Sequence, residues 1–103
     1  MNRIERIEQI EQYLNESVKA VQTLSDALEQ YESVQKSLKK LTDYFGSMQW
    51  MKDYEADEAG KLPLELKRGV LSEDAVYDLL TEHHELILRM SEAVTKAINK
   101  NMT

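Results

Sequence analysis

The sequence of 103 residues contains no cysteine, three glycines and one proline. Without cysteine, the chain has no disulfide framework, no thiol nucleophile and no cysteine-based metal site. So little glycine and proline is atypical of a loop-rich or all-β protein. The length suits one domain and is too short for two. We therefore expect a single all-α domain over residues 1–103.

The charge is one-sided, because 19 Asp and Glu residues outnumber 13 Lys and Arg residues and leave a formal net charge of −6. This acidic excess disfavours binding to the phosphate backbone of nucleic acids. Polar faces that are acidic rather than rich in lysine disfavour action on a membrane surface. The sequence shows no signal peptide and no apolar run of the roughly 20 residues that span a bilayer. We expect a cytoplasmic protein with neither a nucleic-acid nor a membrane partner.

Apolar residues recur every three or four positions from Ile4 to Phe45, and no glycine or proline interrupts them. This spacing predicts one amphipathic helix over residues 1–45, with an apolar stripe that is close to a heptad seam. At 1.5 Å per residue, such a helix is about 65 Å long. Polar residues weaken the stripe, and we expect any bend or break beside one of them: Ser17, Ser25 or Gln35.

A second apolar stripe predicts a helix over residues 72–100, about 40 Å long, with Ser72 as its N-cap. We expect the two helices to pack antiparallel as a hairpin. The longer first helix then extends beyond the second, and this overhang exposes four aliphatic residues: Ile4, Ile7, Ile10 and Leu14. Such rows are uncommon on monomers. Either the middle segment covers them or a second copy does, and we favour a homodimer that completes a helical bundle.

All three glycines, the proline and the only tryptophan lie in residues 46–71, between the two helices. Gly46 is placed to end the first helix in a left-handed cap. Ser47 is a suitable N-cap for a short helix over Met48–Glu58. The proline suits the first turn of a second short helix, over Leu64–Arg68. Each of these residues therefore has a structural role in the prediction.

The middle segment also carries the most specific motif of the chain. It reads GSxxWxxDYEADExGxLP over residues 46–63, and LKRGVLSED follows over residues 66–74. With these motifs the chain resembles a family of short helical bacterial proteins known only as a domain of unknown function. The resemblance covers nearly the whole chain and implies a small all-helical bacterial protein. It implies no reaction, cofactor or ligand.

Four carboxylates fall within six residues of this segment: Asp53, Glu55, Asp57 and Glu58. Hard cations such as Ca²⁺ prefer several oxygen ligands, and the D-x-E-x-D spacing is similar to the start of a calcium loop. The sixth position then holds Glu58 instead of glycine, and the twelfth holds Leu64 instead of glutamate. We therefore predict no metal site and no cofactor. The alternatives are a solvated acidic face, carboxylates paired with Lys67 and Arg68, and a surface that binds a protein partner.

The aromatic pair of the middle segment allows two interpretations, and the two histidines of the last helix indicate no metal site. Trp50 and Tyr54 are i, i+4 neighbours that can anchor a partner or close the end of a two-helix core. His83 falls on the apolar stripe of the last helix, where we expect it to be half-buried. His84 points about 100° away, so the two cannot ligate one metal from one face.

No motif indicates catalysis, because the sequence lacks a Gly-rich phosphate loop and a serine or cysteine nucleophile beside a histidine. We predict a non-enzymatic helical module for protein–protein interaction or assembly, which binds itself, an unidentified protein, or both. The partner-binding candidates are Trp50, Asp53, Tyr54, Glu55, Asp57 and Glu58. The alternative is a small acidic inhibitor or immunity-type protein that occupies a basic site on a toxin, a nuclease or another nucleic-acid-binding protein.

Overall fold

A computed structural model describes the backbone of residues 1–102 and the side chains of residues 1–100. Four α-helices and one short 3-10 helix account for most of this part of the chain. The elements are α1 (Arg3–Ser33), α2 (Gln35–Tyr44), α3 (Met48–Glu58), the 3-10 helix (Gly69–Leu71) and α4 (Glu73–Met102). No strand occurs in residues 1–102, and the all-α prediction is confirmed. The chain divides into two compact units, one over Met1–Thr42 and one from Asp43 onward.

In the first unit, α1 begins at a capped N-terminus. The Asn2 side-chain oxygen accepts a hydrogen bond of 2.8 Å from the Glu5 backbone N–H. The Asn2 amide in turn donates to the Glu5 carboxylate at 3.2 Å. This reciprocal pair satisfies a backbone donor that the first turn of a helix leaves without a partner.

The uninterrupted helix predicted over residues 1–45 is not observed, because α1 ends at Ser33 and α2 begins at Gln35. Two side chains compete with the helical hydrogen bonds at this point. The Ser33 hydroxyl donates to the Gln30 carbonyl oxygen at 2.6 Å, and the Gln35 amide donates to the Tyr31 carbonyl oxygen at 3.0 Å. The Val34 N–H bonds to the Tyr31 carbonyl oxygen, three residues back. The break therefore falls beside Gln35, one of the polar positions that the sequence indicated.

In the second unit, α3 has the boundaries that the sequence predicts. The Ser47 hydroxyl accepts a hydrogen bond of 3.1 Å from the Trp50 backbone N–H. Gly46 and Gly60 bracket the helix with φ angles of 82° and 69°, in the left-handed region that glycine adopts without strain.

The second short helix predicted over Leu64–Arg68 does not form. The Pro63 carbonyl oxygen accepts from the Leu66 N–H at 3.2 Å in a turn, and it also accepts from the Arg68 guanidinium at 2.6 Å. Arg68 also donates to the Leu66 carbonyl oxygen at 3.4 Å. The guanidinium thus bonds to the Pro63 carbonyl oxygen, which in a helix over Leu64–Arg68 would accept from the Lys67 N–H. The chain instead forms the 3-10 helix one residue later.

The last helix begins as predicted, because the Ser72 hydroxyl accepts from the Ala75 N–H at 3.3 Å. It has 30 residues and α1 has 31, so both are about 45 Å long. The predicted length of about 65 Å for one uninterrupted first helix is therefore wrong, whereas the last helix is close to its predicted length. The overhang predicted from the difference between the two lengths is not observed. The antiparallel hairpin and its dimeric completion stay predictions.

Few apolar side chains are buried. Among the described side chains, the buried apolar residues are Trp50, Leu71 and Val76, all of the second unit. No residue of α1 is buried. The aliphatic residues of α4 also stay partly open, with 57% exposure at Val94 and 52% at Ile98. None of the helices within residues 1–102 combines the length and the apolar character needed to cross a bilayer.

Candidate functional site

Trp50 lies at the centre of the motif segment and is 4% exposed. Its indole N–H donates to the Val70 carbonyl oxygen at 2.9 Å, and this bond joins α3 to the 3-10 helix. Tyr54 stacks on the indole at a centroid distance of 5.2 Å, and Phe45 meets it edge-on at 5.3 Å. Trp50 therefore acts as a core residue of the second unit, and Tyr54 keeps a half-buried position beside it.

Asp53, the first carboxylate of the acidic cluster, is held by two neighbours. The Tyr44 hydroxyl donates to it at 2.6 Å, and the Gln49 side-chain amide donates to its other oxygen at 3.0 Å. The hydrogen bond to Asp53 raises the pKa of Tyr44 from 10.0 to about 12, and desolvation and the Asp53 charge act in the same direction. Asp53 thus holds Tyr44 beside α3 within the second unit.

Asp57 forms an ion pair with Arg68, and both side chains are half-buried. The same guanidinium donates to the Pro63 carbonyl oxygen at 2.6 Å. Arg68 lies at the end of the segment that starts with Pro63, and its side chain therefore links both ends of this segment to Asp57 of α3. The sequence alternative of carboxylates paired with Arg68 is confirmed for Asp57. These contacts use a planar group with several fixed donors, which lysine lacks.

Glu55 and Glu58 are exposed, in contrast to the two aspartates. The negative charge of Glu58 raises the pKa of the Tyr54 hydroxyl, and a hydrogen bond between them acts in the same direction. A shallow, open cavity near Glu58 is lined mainly by acidic and polar residues: Tyr54, Asp57, Glu58, Leu71, Ser72, Glu73 and Asp74. The acidic surface thus includes the first turn of α4, which the sequence prediction did not include.

The four carboxylates of the cluster do not converge. Over residues 1–102, no three Asp, Glu or His side chains lie together in a way that can hold a metal ion. Two of the four are engaged by Tyr44 and Arg68 instead. The sequence prediction did not include Tyr44 as a partner of Asp53, because a contact between residues nine positions apart leaves no local pattern in the sequence. His83 is half-buried on α4, as predicted.

The apolar face of α1 is a second candidate surface. The predicted self-association residues are open to solvent, with exposures of 67% at Ile4, 54% at Ile7, 57% at Ile10 and 54% at Leu14. The same face continues beyond the predicted overhang, with exposures of 60% at Val18, 67% at Val21, 68% at Leu24 and 50% at Leu28. The periodicity of the sequence already contained this longer stripe. The candidate of four residues follows from a first helix of 45 residues, whereas α1 ends at Ser33.

Comparison with known proteins adds one finding. The family model described as Domain of unknown function (DUF4298) matches residues 7–93, which is most of the chain. No curated protein and no solved structure matches the chain. The match agrees with the resemblance indicated by the motif over residues 46–74, and it brings no reaction, ligand or partner.

Proposed function

The chain belongs to the family described as Domain of unknown function (DUF4298), and we propose that it is a non-enzymatic helical module that assembles with itself through α1. The observation that supports the proposal is the apolar face of α1, where large aliphatic side chains from Ile4 to Leu28 are at least half exposed. Contiguous apolar surface on this scale is typical of interaction sites. Its removal from water supplies the free energy of association.

The polar residues of the motif segment support a structural role for that segment rather than a catalytic one. Asp53 and Asp57 are engaged by Tyr44 and Arg68, so neither is a free acid or base at the mouth of a pocket. No cofactor is needed for a module of this kind. The cytoplasm is the proposed location, because a chain without cysteine suits a reducing compartment.

The proposal is tested by measuring the mass of the chain by sedimentation equilibrium. We expect the wild type to sediment above the 12.0 kDa of one chain, and the double variant Ile7→Asp with Leu14→Asp to sediment as a monomer. The control carries the same two new carboxylates on the opposite face of α1, as Gln12→Asp with Lys19→Asp. It should still associate. A monomeric wild type at the highest concentration reached contradicts the proposal.

The second candidate function is the acidic inhibitor of a basic protein. It is favoured by the position of Glu58, Glu73 and Asp74 around one open cavity, since a concentrated negative field attracts basic partners. We expect salt-sensitive capture of a basic protein from the native cell, and loss of this capture when Glu55, Glu58, Glu73 and Asp74 are neutralised. The Ile7→Asp, Leu14→Asp variant serves as the control, because it leaves this surface intact. Equal capture by the neutralised chain contradicts this candidate.

A further inference from the structure

The apolar face of α1 follows a heptad repeat, in which positions a and d form the seam of a coiled coil. With Ile7 as the first a position, the seam consists of Ile7, Leu14, Val21 and Leu28 at a, and of Ile10, Ser17 and Leu24 at d. Six of these seven residues are aliphatic, and each of the six is at least half exposed. The whole seam lies within α1, before the break at Val34.

The positions that flank the seam carry one charge of each sign. Positions g are Arg6, Tyr13, Ala20 and Ala27, and positions e are Ile4, Glu11, Val18 and Ser25. Arg6 and Glu11 are the charged members of this set. Both line a shallow groove on α1 together with Ile7, Ile10 and Leu14. They are five residues apart and point to different edges of the helix, so they do not face each other within one chain.

We propose that α1 pairs with α1 of a second copy as a parallel, in-register, two-stranded coiled coil, an inference that rests on the proposed self-association. In a parallel pair, each g position lies beside the e position five residues further along the partner helix. Arg6 of each chain then meets Glu11 of the other, and the symmetry of the pair repeats this contact on both sides. The charges at the edge of the seam are thus complementary to those of an identical helix.

The antiparallel pairing does not use these charges. There, g positions meet g positions and e positions meet e positions, so Arg6 has no carboxylate opposite it. Position a also faces position d, which places the Ser17 hydroxyl against an aliphatic residue of the partner. In the parallel pair Ser17 faces the partner's Ser17, and polar groups that meet at one level of the seam specify register.

The amount of surface also fits a second copy. Nine side chains at positions a, d, e and g, from Ile4 to Leu28, are large and apolar, and all nine are at least half exposed. Packing them against an identical helix removes on the order of 1,000 Å² of accessible surface from water, summed over both chains. This is the area at which specific interfaces begin.

The absence of cysteine allows a direct test of the pairing. In the full chain, Ser17→Cys places one thiol in the seam, and Lys19→Cys places one on the outer face two residues away. In the parallel pair, two copies of residue 17 lie within reach of a disulfide. We expect the Ser17→Cys chain to form an interchain disulfide under mild oxidation at least about tenfold faster than the Lys19→Cys chain, because its thiols are held at high effective concentration.

A charge exchange tests the edge contact independently of any thiol. Arg6→Glu and Glu11→Arg should each raise the dimer dissociation constant by roughly two- to thirtyfold, because each variant breaks two exposed ion pairs in the symmetric dimer. The double variant Arg6→Glu with Glu11→Arg should restore the wild-type value, since its charges are complementary again. Circular dichroism of each variant checks that α1 remains helical.

The outcomes separate this inference from the proposed function. Preferential cross-linking at position 17 together with rescue by the double variant supports the parallel pair. A dimer that cross-links equally at positions 17 and 19, or that is not rescued, overturns the parallel register and leaves self-association standing. A mass other than twice that of one chain overturns the two-stranded pair, and a monomeric chain overturns both proposals.

Discussion

The Trp50 indole donates a hydrogen bond of 2.9 Å to the Val70 carbonyl oxygen, twenty residues further along the chain. This bond and the burial of the ring hold α3 against the 3-10 helix, so that one side chain organises a unit with few other buried residues. The unit is correspondingly sensitive to single substitutions in its core, because a small core has no surplus of apolar contacts.

We expect Trp50→Ala to lower the free energy of unfolding by about 3–5 kcal/mol, the cost of deleting a large buried side chain. Trp50→Phe should cost less, about 1–3 kcal/mol, because it keeps a ring but leaves the Val70 carbonyl group without its donor. Urea unfolding followed by circular dichroism measures both values. The control is Met51→Ala, at a residue that is 50% exposed. A loss for Trp50→Ala no larger than for this control contradicts the central role of the indole.

The hydrogen bond from Tyr44 to Asp53 predicts a loss of stability at alkaline pH. The pKa of Tyr44 is raised from 10.0 to about 12 by this bond first, and then by burial and the Asp53 charge. A group with a raised pKa in the folded state contributes stability that is complete below the unfolded value, and this contribution is lost as the pH rises through the folded value. The stability contributed by Tyr44 should therefore be lost between pH 10 and about pH 12.

Tyr44→Phe should lower the free energy of unfolding by about 1–2 kcal/mol at neutral pH, because it deletes a hydrogen bond to a charged acceptor. It should also reduce the decrease in the free energy of unfolding between pH 10 and about pH 12, measured by urea unfolding at several pH values. Tyr77→Phe is the control, since Tyr77 is 64% exposed. An alkaline decline that is the same in the Tyr44→Phe chain and in the wild type argues against the bond.

We expect substitution of Arg68 to destabilise the chain locally rather than globally. Arg68→Ala removes the partner of Asp57 and the donor to the Pro63 carbonyl oxygen, so the backbone from Leu62 to Leu71 should exchange its amide protons faster. Arg68→Lys should rescue this exchange only in part, because an ammonium group cannot make both contacts with the same geometry. Hydrogen exchange read residue by residue measures the effect. Lys67→Ala, at an exposed neighbour, is expected to leave the exchange rates unchanged.

Two glycines form a matched pair for testing backbone strain. Gly46 has a φ of 82°, and Gly69 has no φ in the left-handed region, while an added Cβ meets no atom within 4 Å at either position. Gly46→Ala should therefore lower the free energy of unfolding by about 1–2 kcal/mol through strain alone. Gly69→Ala should be neutral or stabilising by up to about 1 kcal/mol, because it restricts the unfolded chain. Thermal unfolding that ranks the two variants in the opposite order refutes this assignment.

The local boundaries of the second unit were predictable from the sequence. Ser47 and Ser72 cap the helices that follow them, and Gly46 ends the segment before α3, because capping depends on residues within one turn of each other. The short helix predicted over Leu64–Arg68 was wrong for the opposite reason. The Pro63 carbonyl group, which that helix would need, bonds to an arginine that is held by Asp57 of α3, and no local propensity describes that competition.

The sequence by itself determined the helical class, the apolar stripe of α1 and the caps of α3 and α4, since all of these follow from periodicity and from contacts within a few residues. Only the tertiary structure decided which contacts the motif residues make. It assigned Trp50 to a core, Asp53 to Tyr44 and Asp57 to Arg68. These contacts join residues nine to twenty positions apart. Such pairs depend on how the chain turns between its helices, which no repeat or local spacing encodes.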